Sequence, residues 1–460
     1  MTTHTRTTAR RLTALTATLA ATALLSGCVQ GGTSEGAWAD TGDLSYWMWD
    51  ANQVPAYQAC ATDFEAANPG ITISIEQYGY DDYFQTLTTS LVGGNAPDVI
   101  TNHPSFFPQL ASTGQLLALD DVVESEGIDF ADYQAGIPEL WVGEDGERYG
   151  MPKDWDTVAT IYNAAYLADG GLTPESLANL DWNPEDGGTW EDTIAHLSID
   201  KNGVRGDEAG YDPKNVDVYG LGLKSKSGIG AFGQTQWSMY ALSAGWEYSD
   251  KNPFGTDFNY ADDEYIDTIA WWRSLIEKGY MPSYQAASSG VGIKDAFGAG
   301  SYALVTDGSW NARSYYGFDG IDAGIAPLPT GPTGERVGVL NGLADSVLAS
   351  TDNAELSKQW VGYMSTAACQ DVVAEAAVVF PALNSSSEKA REAFSAAGID
   401  VSVYYDAVAA GSTELAPIAN HWVDVLAIME PAVESVLIFQ AEPESLKDAA
   451  AEVDKLFAND

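Results

Sequence analysis

At 460 residues the chain is too long for one small domain, since domains average about 150 residues. It carries 66 acidic against 21 basic residues, a formal charge of -45, yet 45% of it is apolar. The apolar content excludes a disordered acidic tail, and the charge excludes DNA, RNA and other polyanions, which need a basic footprint.

Arg6, Arg10 and Arg11 form a positive leader with no acid nearby, and an apolar, small-residue stretch follows over residues 12–25. That stretch is too short and too threonine-rich for a stable membrane span. It ends in Leu25-Ser26-Gly27-Cys28, which resembles a bacterial lipobox, in which the cysteine is acylated and opens the mature chain. Residues 1–27 are therefore expected to be a lipoprotein signal peptide and residues 28–43 a flexible, glycine-containing tether. A Cys28 bearing more than one acyl chain would anchor the protein to the extracytoplasmic face of the cell membrane. No later segment approaches the ~18 consecutive apolar residues that a span needs.

Leu44-Ser45-Tyr46-Trp47-Met48-Trp49 is apolar enough for a buried strand. Helical spacing follows over residues 54–68 (Ala56, Cys60, Phe64, Ala67), and Asn68-Pro69-Gly70 stops it. Ile71, Ile73 and Ile75 alternate as in a strand. Residues 83–91 read as a second helix, then Gly93-Gly94-Asn95 leads to a short strand at Asp98-Val99-Ile100. This β-α-β-α-β order predicts a mainly parallel sheet covered by helices. Region 181–217 is polar and turn-rich, and alanine-rich amphipathic runs at 358–377 and 445–457 make the end of the chain helical.

Four groups of motifs, in order, carry a family resemblance. The first is Phe64-Glu65-Ala66-Ala67-Asn68-Pro69-Gly70-Ile71, followed by Gly93-Gly94-Asn95-Ala96-Pro97-Asp98-Val99. The second is Tyr149-Gly150-Met151-Pro152-Lys153-Asp154-Trp155-Asp156-Thr157, running into Ile161-Tyr162-Asn163. The third is Asp307-Gly308-Ser309-Trp310, and the fourth Ala326-Pro327-Leu328-Pro329-Thr330-Gly331-Pro332, leading to Val339-Leu340-Asn341-Gly342. Together they resemble the extracellular solute-binding proteins of ABC importers, in the sugar and oligosaccharide (maltose-binding-protein-like) family. The resemblance implies an α/β fold of two lobes, joined by a hinge that the chain crosses near residues 156–160, 324–327 and 341–344. Lobe one would be residues 44–157 plus 325–341, and lobe two residues 158–324 plus 342–460. It further implies a monomeric receptor that needs no cofactor, holds a neutral sugar or oligosaccharide between its lobes and delivers it to the permease. Cys60 and Cys369 would then lie on different lobes, where a disulfide would pin the hinge, so they are expected not to pair.

A neutral sugar packs its C–H faces on aromatic rings and directs its hydroxyls at planar polar groups. The chain supplies 14 Trp and 23 Tyr. Asp154-Trp155-Asp156 combines two acids and an indole at the expected lobe border, and Trp310 matches a sugar-stacking position of the family. Trp237 opens an apolar helix. Trp49-Asp50 ends the first strand and Asn102 follows the third, where α/β sites lie outside the carboxyl ends of strands; His103 is read as structural. Asn341-Gly342 falls at the third crossing, where a glycine lets backbone N–H groups approach a ligand. The expected ligand-binding set is Trp49, Asp50, Asn102, Asp154, Trp155, Asp156, Trp237, Trp310, Asn341 and Gly342.

Other chemistries have less support. A secreted glycoside hydrolase would need paired carboxylates such as Asp154 and Asp156, which are expected to face opposite sides of a strand. A cell-wall glycan-binding surface protein is a further alternative. Gly228-Ile229-Gly230-Ala231-Phe232-Gly233 fits a dinucleotide pattern but lacks the tight βαβ turn. Asp200-Lys201-Asn202-Gly203 opens like a calcium loop, yet Val204 and Arg205 stand where an acid or Asn and a Gly belong. Beyond the leader only His103, His196 and His421 remain, so there is little material for zinc or Ser-His chemistry, and no metal or catalytic residue is expected.

Overall fold

The computed structural model describes residues 41–224, 230–289 and 291–458. The leader, Cys28 and most of the tether lie outside the described residues, as do Gly228 and Ile229 of the glycine pattern. Twelve strands are present among the described residues: β1 (Gly42–Met48), β2 (Ile71–Gln77), β3 (Val99–Asn102), β4 (Met151–Asp156), β5 (Val158–Asn163), β6 (Ile199–Asp200), β7 (Val216–Leu221), β8 (Tyr302–Gly308), β9 (Ala323–Ala326), β10 (Gly338–Val347), β11 (Phe380–Pro381) and β12 (Thr413–Leu415). They form two sheets with helices packed around each. The first has the order β11-β4-β10-β3-β1-β2, with β12 beside β10, and the second β6-β7-β8-β5-β9.

The first sheet starts as the sequence pattern predicts. Leu44, Tyr46, Trp47 and Met48 are buried on β1, a strand covered on both faces, whereas Ile71 and Ile73 alternate with exposed residues on β2, as the two-residue period of a half-covered strand requires. Helix Val54–Ala67 begins with a proline in its first turn and buries Ala56, Tyr57, Cys60, Ala61 and Phe64; proline suits that turn because its missing N–H has no helical partner there. β1 is parallel to both β2 and β3. The sheet as a whole is mixed, not mainly parallel, because β10 is antiparallel to β3 and β4. A sequence pattern reports burial; it does not report strand direction.

The chain passes from the first sheet to the second between β4 and β5, at Thr157, and returns between β9 and β10. Residues 341–344 are not a passage. They lie inside β10, where Asn341 is paired with Asp156 and Ala344 with Asn102. The first-sheet core continues through helices Ala354–Ser365 and Ala367–Glu375, with Trp360, Val361, Cys369 and Val373 buried beside Leu44, Tyr46 and Phe64. Only later do helices Trp422–Leu437 and Leu446–Phe457 join the core around the second sheet, with Trp190, Ile194, Trp272 and Leu304. The expected grouping of all of 342–460 with the second half is thereby corrected.

The correction extends to the cysteines. Cys60 and Cys369 share one core and form a disulfide, their Cα atoms 5.2 Å apart. The bridge joins two neighbouring helices of the same half, so it does not pin one half to the other. Two further elements differ from expectation. Region 181–217 contains helix Gly188–Leu197, whose Trp190, Ile194 and Leu197 are buried at helical spacing. The run at 358–377 is two helices, broken at Thr366, which is extended (φ -85°, ψ 166°) and whose hydroxyl donates to the Tyr363 carbonyl. Such side-chain bonds compete with the helical ladder.

Candidate functional site

A cleft of about 790 Å³ is lined from both sheets. The first-sheet wall is built from the ends of β1 and β3, the start of helix Tyr80–Gly93, and β4 with β10. The other wall comes from Phe232, Gln234 and Thr235, from residues 287–288 and 292–295, and from 310–311. Seven of the ten expected residues line it: Trp49, Asp50, Asp154, Trp155, Asp156, Trp310 and Asn341.

β4 supplies the centre. Asp154 and Asp156 both line the cleft, so the expectation that they face opposite ways is wrong: strand side chains repeat every two residues, and i and i+2 share a face. Asp154 is 2% and Asp156 7% exposed. One oxygen of Asp154 accepts from Leu343 N–H (3.1 Å), while its Oδ2 has no partner. Asp156 accepts from Gln234 Nε2 (2.7 Å) and Asn341 Nδ2 (3.2 Å), and the Gln234 bond joins the two walls. Burial raises the Asp154 carboxyl to about 7. Burial and the neighbouring Asp154 raise Asp156 to about 8, because a low-dielectric site penalises the charged form.

Trp155 lies deeper, 1% exposed, with its indole N–H on Ser387 Oγ (3.0 Å). Trp310 is half-buried. Its turn is fixed by Asp307, which accepts from Gly308 N–H (2.8 Å), Asn311 Nδ2 (3.0 Å) and Tyr315 Oη (2.6 Å). A Cβ at Gly308 would collide with the Trp310 ring, so the indole lies directly over the glycine. Trp49 packs edge-on to Tyr83 and Tyr80, ring centres 5.0 and 5.5 Å away. Asp50 accepts from Asn52 N–H and Gln53 Nε2.

The other three expected residues do not reach the cleft. Trp237 is fully buried in the second core, its indole N–H on the Gly230 carbonyl (3.1 Å); an aromatic at the start of an apolar helix is here core packing. Asn102 is fully buried, donating to Ser346 Oγ (3.2 Å) and accepting from His103 N–H (2.9 Å). It shapes the turn that carries His103. Gly342 faces a backbone, not a ligand: a Cβ there would sit 2.6 Å from the Asp154 carbonyl oxygen.

Several lining residues gave no signal in the sequence, among them Gln53, Tyr80, Gln234 and Thr235. His103, read as structural, also lines the cleft. Its Nδ1 accepts from Ser105 N–H (3.1 Å), which leaves the neutral ring's hydrogen on Nε2, and burial lowers its pKa to about 3. The charged lining residues are Asp50, Asp81, Asp82, Asp154, Asp156 and Asp295 against Lys224 and Lys294. No group of three or more metal-ligating side chains occurs among the described residues. Asp200 instead organises its own loop, accepting from the N–H groups of Asn202, Val204 and Asp212.

The fold finds parallels in known proteins. The profile of the bacterial extracellular solute-binding protein family matches residues 59–398. The maltodextrin-binding protein MdxE of Bacillus subtilis is 25% identical over 337 residues, 73% of this chain and 72% of the relative. A Listeria monocytogenes ABC substrate-binding protein solved with cycloalternan superposes with a TM-score of 0.77 at 19% identity, covering 90% of this chain and 99% of that one. UgpB of Mycobacterium tuberculosis, solved with glycerophosphocholine, gives 0.73 at 18% identity, covering 91% and 99%. These likenesses define the fold as the two-lobed α/β architecture of periplasmic binding proteins.

Proposed function

The chain belongs to the bacterial extracellular solute-binding protein family, and from that premise we propose that it is the substrate-binding component of an ABC importer whose cleft takes a carbohydrate bearing no phosphate or carboxylate. The observation that carries this reading is the meeting of Trp49, Trp155 and Trp310 with Asp154 and Asp156 in one cleft. Indole faces suit the C–H surfaces of a sugar ring, and buried carboxylates suit its hydroxyls. Covering part of an indole is worth about 1–3 kcal/mol at ~25 cal/mol per Å², and a hydrogen bond to a charged group about 1.5–3 kcal/mol. A micromolar receptor needs about 8 kcal/mol in all, so two indoles and two acids suffice.

The maltodextrin- and cycloalternan-binding relatives favour a carbohydrate. The glycerophosphocholine-bound relative raises a phosphate-bearing alternative, but six aspartates facing two lysines and no arginine would repel a phosphate. The family setting is extracellular. Acylation of Cys28 after export would hold the receptor, acting as a monomer, beside the permease that receives the sugar. Binding is favoured over hydrolysis because both oxygens of Asp156 already accept from side-chain amides, whereas a hydrolytic pair needs a second carboxylate free to attack the sugar or activate water beside the proton donor. Incubation with a maltodextrin and cello-oligosaccharide series tests this. The expected result is a change in tryptophan fluorescence with the sugar recovered intact; a hydrolysis product would overturn the receptor reading.

A further inference from the structure

The cleft wall contains an imbalance that an ordinary polyol does not fill. Among the described residues, four that line the cleft each hold a buried polar atom with no hydrogen-bond partner: Gln53 Oε1, Asp154 Oδ2, Asn341 Oδ1 and Thr235 Oγ1. The two amide oxygens accept only, and Asp154 Oδ2 accepts when the carboxyl is ionised. Their orientation is set by their neighbours: Gln53 Nε2 donates to Asp50 Oδ2 (3.1 Å) and Asn341 Nδ2 to Asp156 Oδ2 (3.2 Å). Each amide nitrogen is committed to a carboxylate, so each amide oxygen is left over. Gln53, Asp154 and Asn341 are each 2% exposed, so water does not serve them as it serves the acids of the outer surface. A buried acceptor left empty is costly, and native folds rarely tolerate several together.

Resting on the carbohydrate reading, we propose that the solute is a sugar carrying a protonated amine, its ammonium bound on the wall formed by Asp154, Gln53 and Asn341. A hydroxyl donates one hydrogen and seeks a donor in return; an ammonium donates three and accepts none. The neighbouring Asp50 adds attraction for a cation, and the indoles of Trp49 and Trp310 offer π faces that also favour one. This narrows the expected neutral sugar to a basic one.

The test is calorimetric titration at pH 7 with matched sets: glucosamine, galactosamine and mannosamine, their N-acetyl forms, the parent hexoses, the β1→4 dimers of glucosamine, N-acetylglucosamine and glucose, and spermidine as an amine without a sugar. At least one amino sugar is expected to bind ten-fold or more tightly than both its acetylated and its hydroxyl counterparts. Asp154→Asn, checked for an unchanged circular dichroism spectrum, should abolish that preference. Should the parent or acetylated sugar bind as tightly, the inference fails and the carbohydrate reading stands. Preference for spermidine over every sugar, or no binding across the whole panel, would overturn both.

Discussion

Two faces of one strand handle buried charge in opposite ways. On β4, Lys153 points away from the cleft. Its Nζ lies 2.7 Å from Tyr46 Oη and 3.0 Å from Thr101 Oγ1, over the Tyr57 ring, and 3.8 Å from Asp345. Tyr46 and Thr101 in turn donate to Asp345. Burial lowers the lysine and raises the aspartate, yet every member of the cluster has partners. The next residue, Asp154, is equally buried and keeps an oxygen with none. A partnered buried charge is part of the scaffold; the unpartnered one is proposed to face the ligand. The first holds β1, β3, β4 and β10 in place so that the second can be aimed.

Substitutions should separate the two faces. The largest effect is expected for Lys153→Met, which strands Asp345 without its cation and should cost about 3–5 kcal/mol of stability in urea unfolding; adding Asp345→Asn should recover part of it. Reducing the Cys60–Cys369 bridge should cost about 2–5 kcal/mol, read as a lower melting temperature. If the bridge lies within one half, sugar affinity measured below the new midpoint should not change. On the cleft face, Asp156→Asn should leave the melting temperature unlowered but weaken binding by about 1.5–3 kcal/mol, roughly 10- to 150-fold in calorimetry.

The last expected effect is a pH dependence. Asp154 and Asp156 titrate near 7 and 8 in the fold against about 3.9 in an unfolded chain. Between those values the folded state holds protons that the unfolded state has lost, so their contribution to stability falls as pH rises from about 4 to about 8. A double Asp154→Asn, Asp156→Asn variant should melt with a flatter pH profile than the parent; identical profiles would place the two carboxyls in solvent.

Much of this was legible in the residues. The buried apolar run of β1, the alternation of β2, the helix stopped at Asn68, and the Asp154-Trp155-Asp156 and Trp310 motifs are local patterns, and local patterns survive folding. Apart from the facing of Asp154 and Asp156, a local reading that strand periodicity overturns, what failed was non-local. The pairing of Cys60 with Cys369 depends on where the chain returns to the first sheet, and no local signal marks that within β10. Trp237 and Trp310 are the same side chain in apolar or turn contexts, and only tertiary packing decides which reaches the cleft. Gln53, Gln234 and Thr235 contribute one polar atom each from otherwise ordinary segments, so nothing in their neighbours announces them. Lys153 stood inside a recognised motif, but its role needs Asp345, 192 residues away in the chain.

The central claim is that one crevice, lined by indoles and buried carboxylates, binds a sugar. It is tested most directly by titrating the best-binding carbohydrate into the parent protein, Trp310→Ala and Asp156→Ala side by side. Affinity should fall at least ten-fold in each variant with the fold retained. Unchanged affinity in both would mean that the sugar, if bound, is held elsewhere.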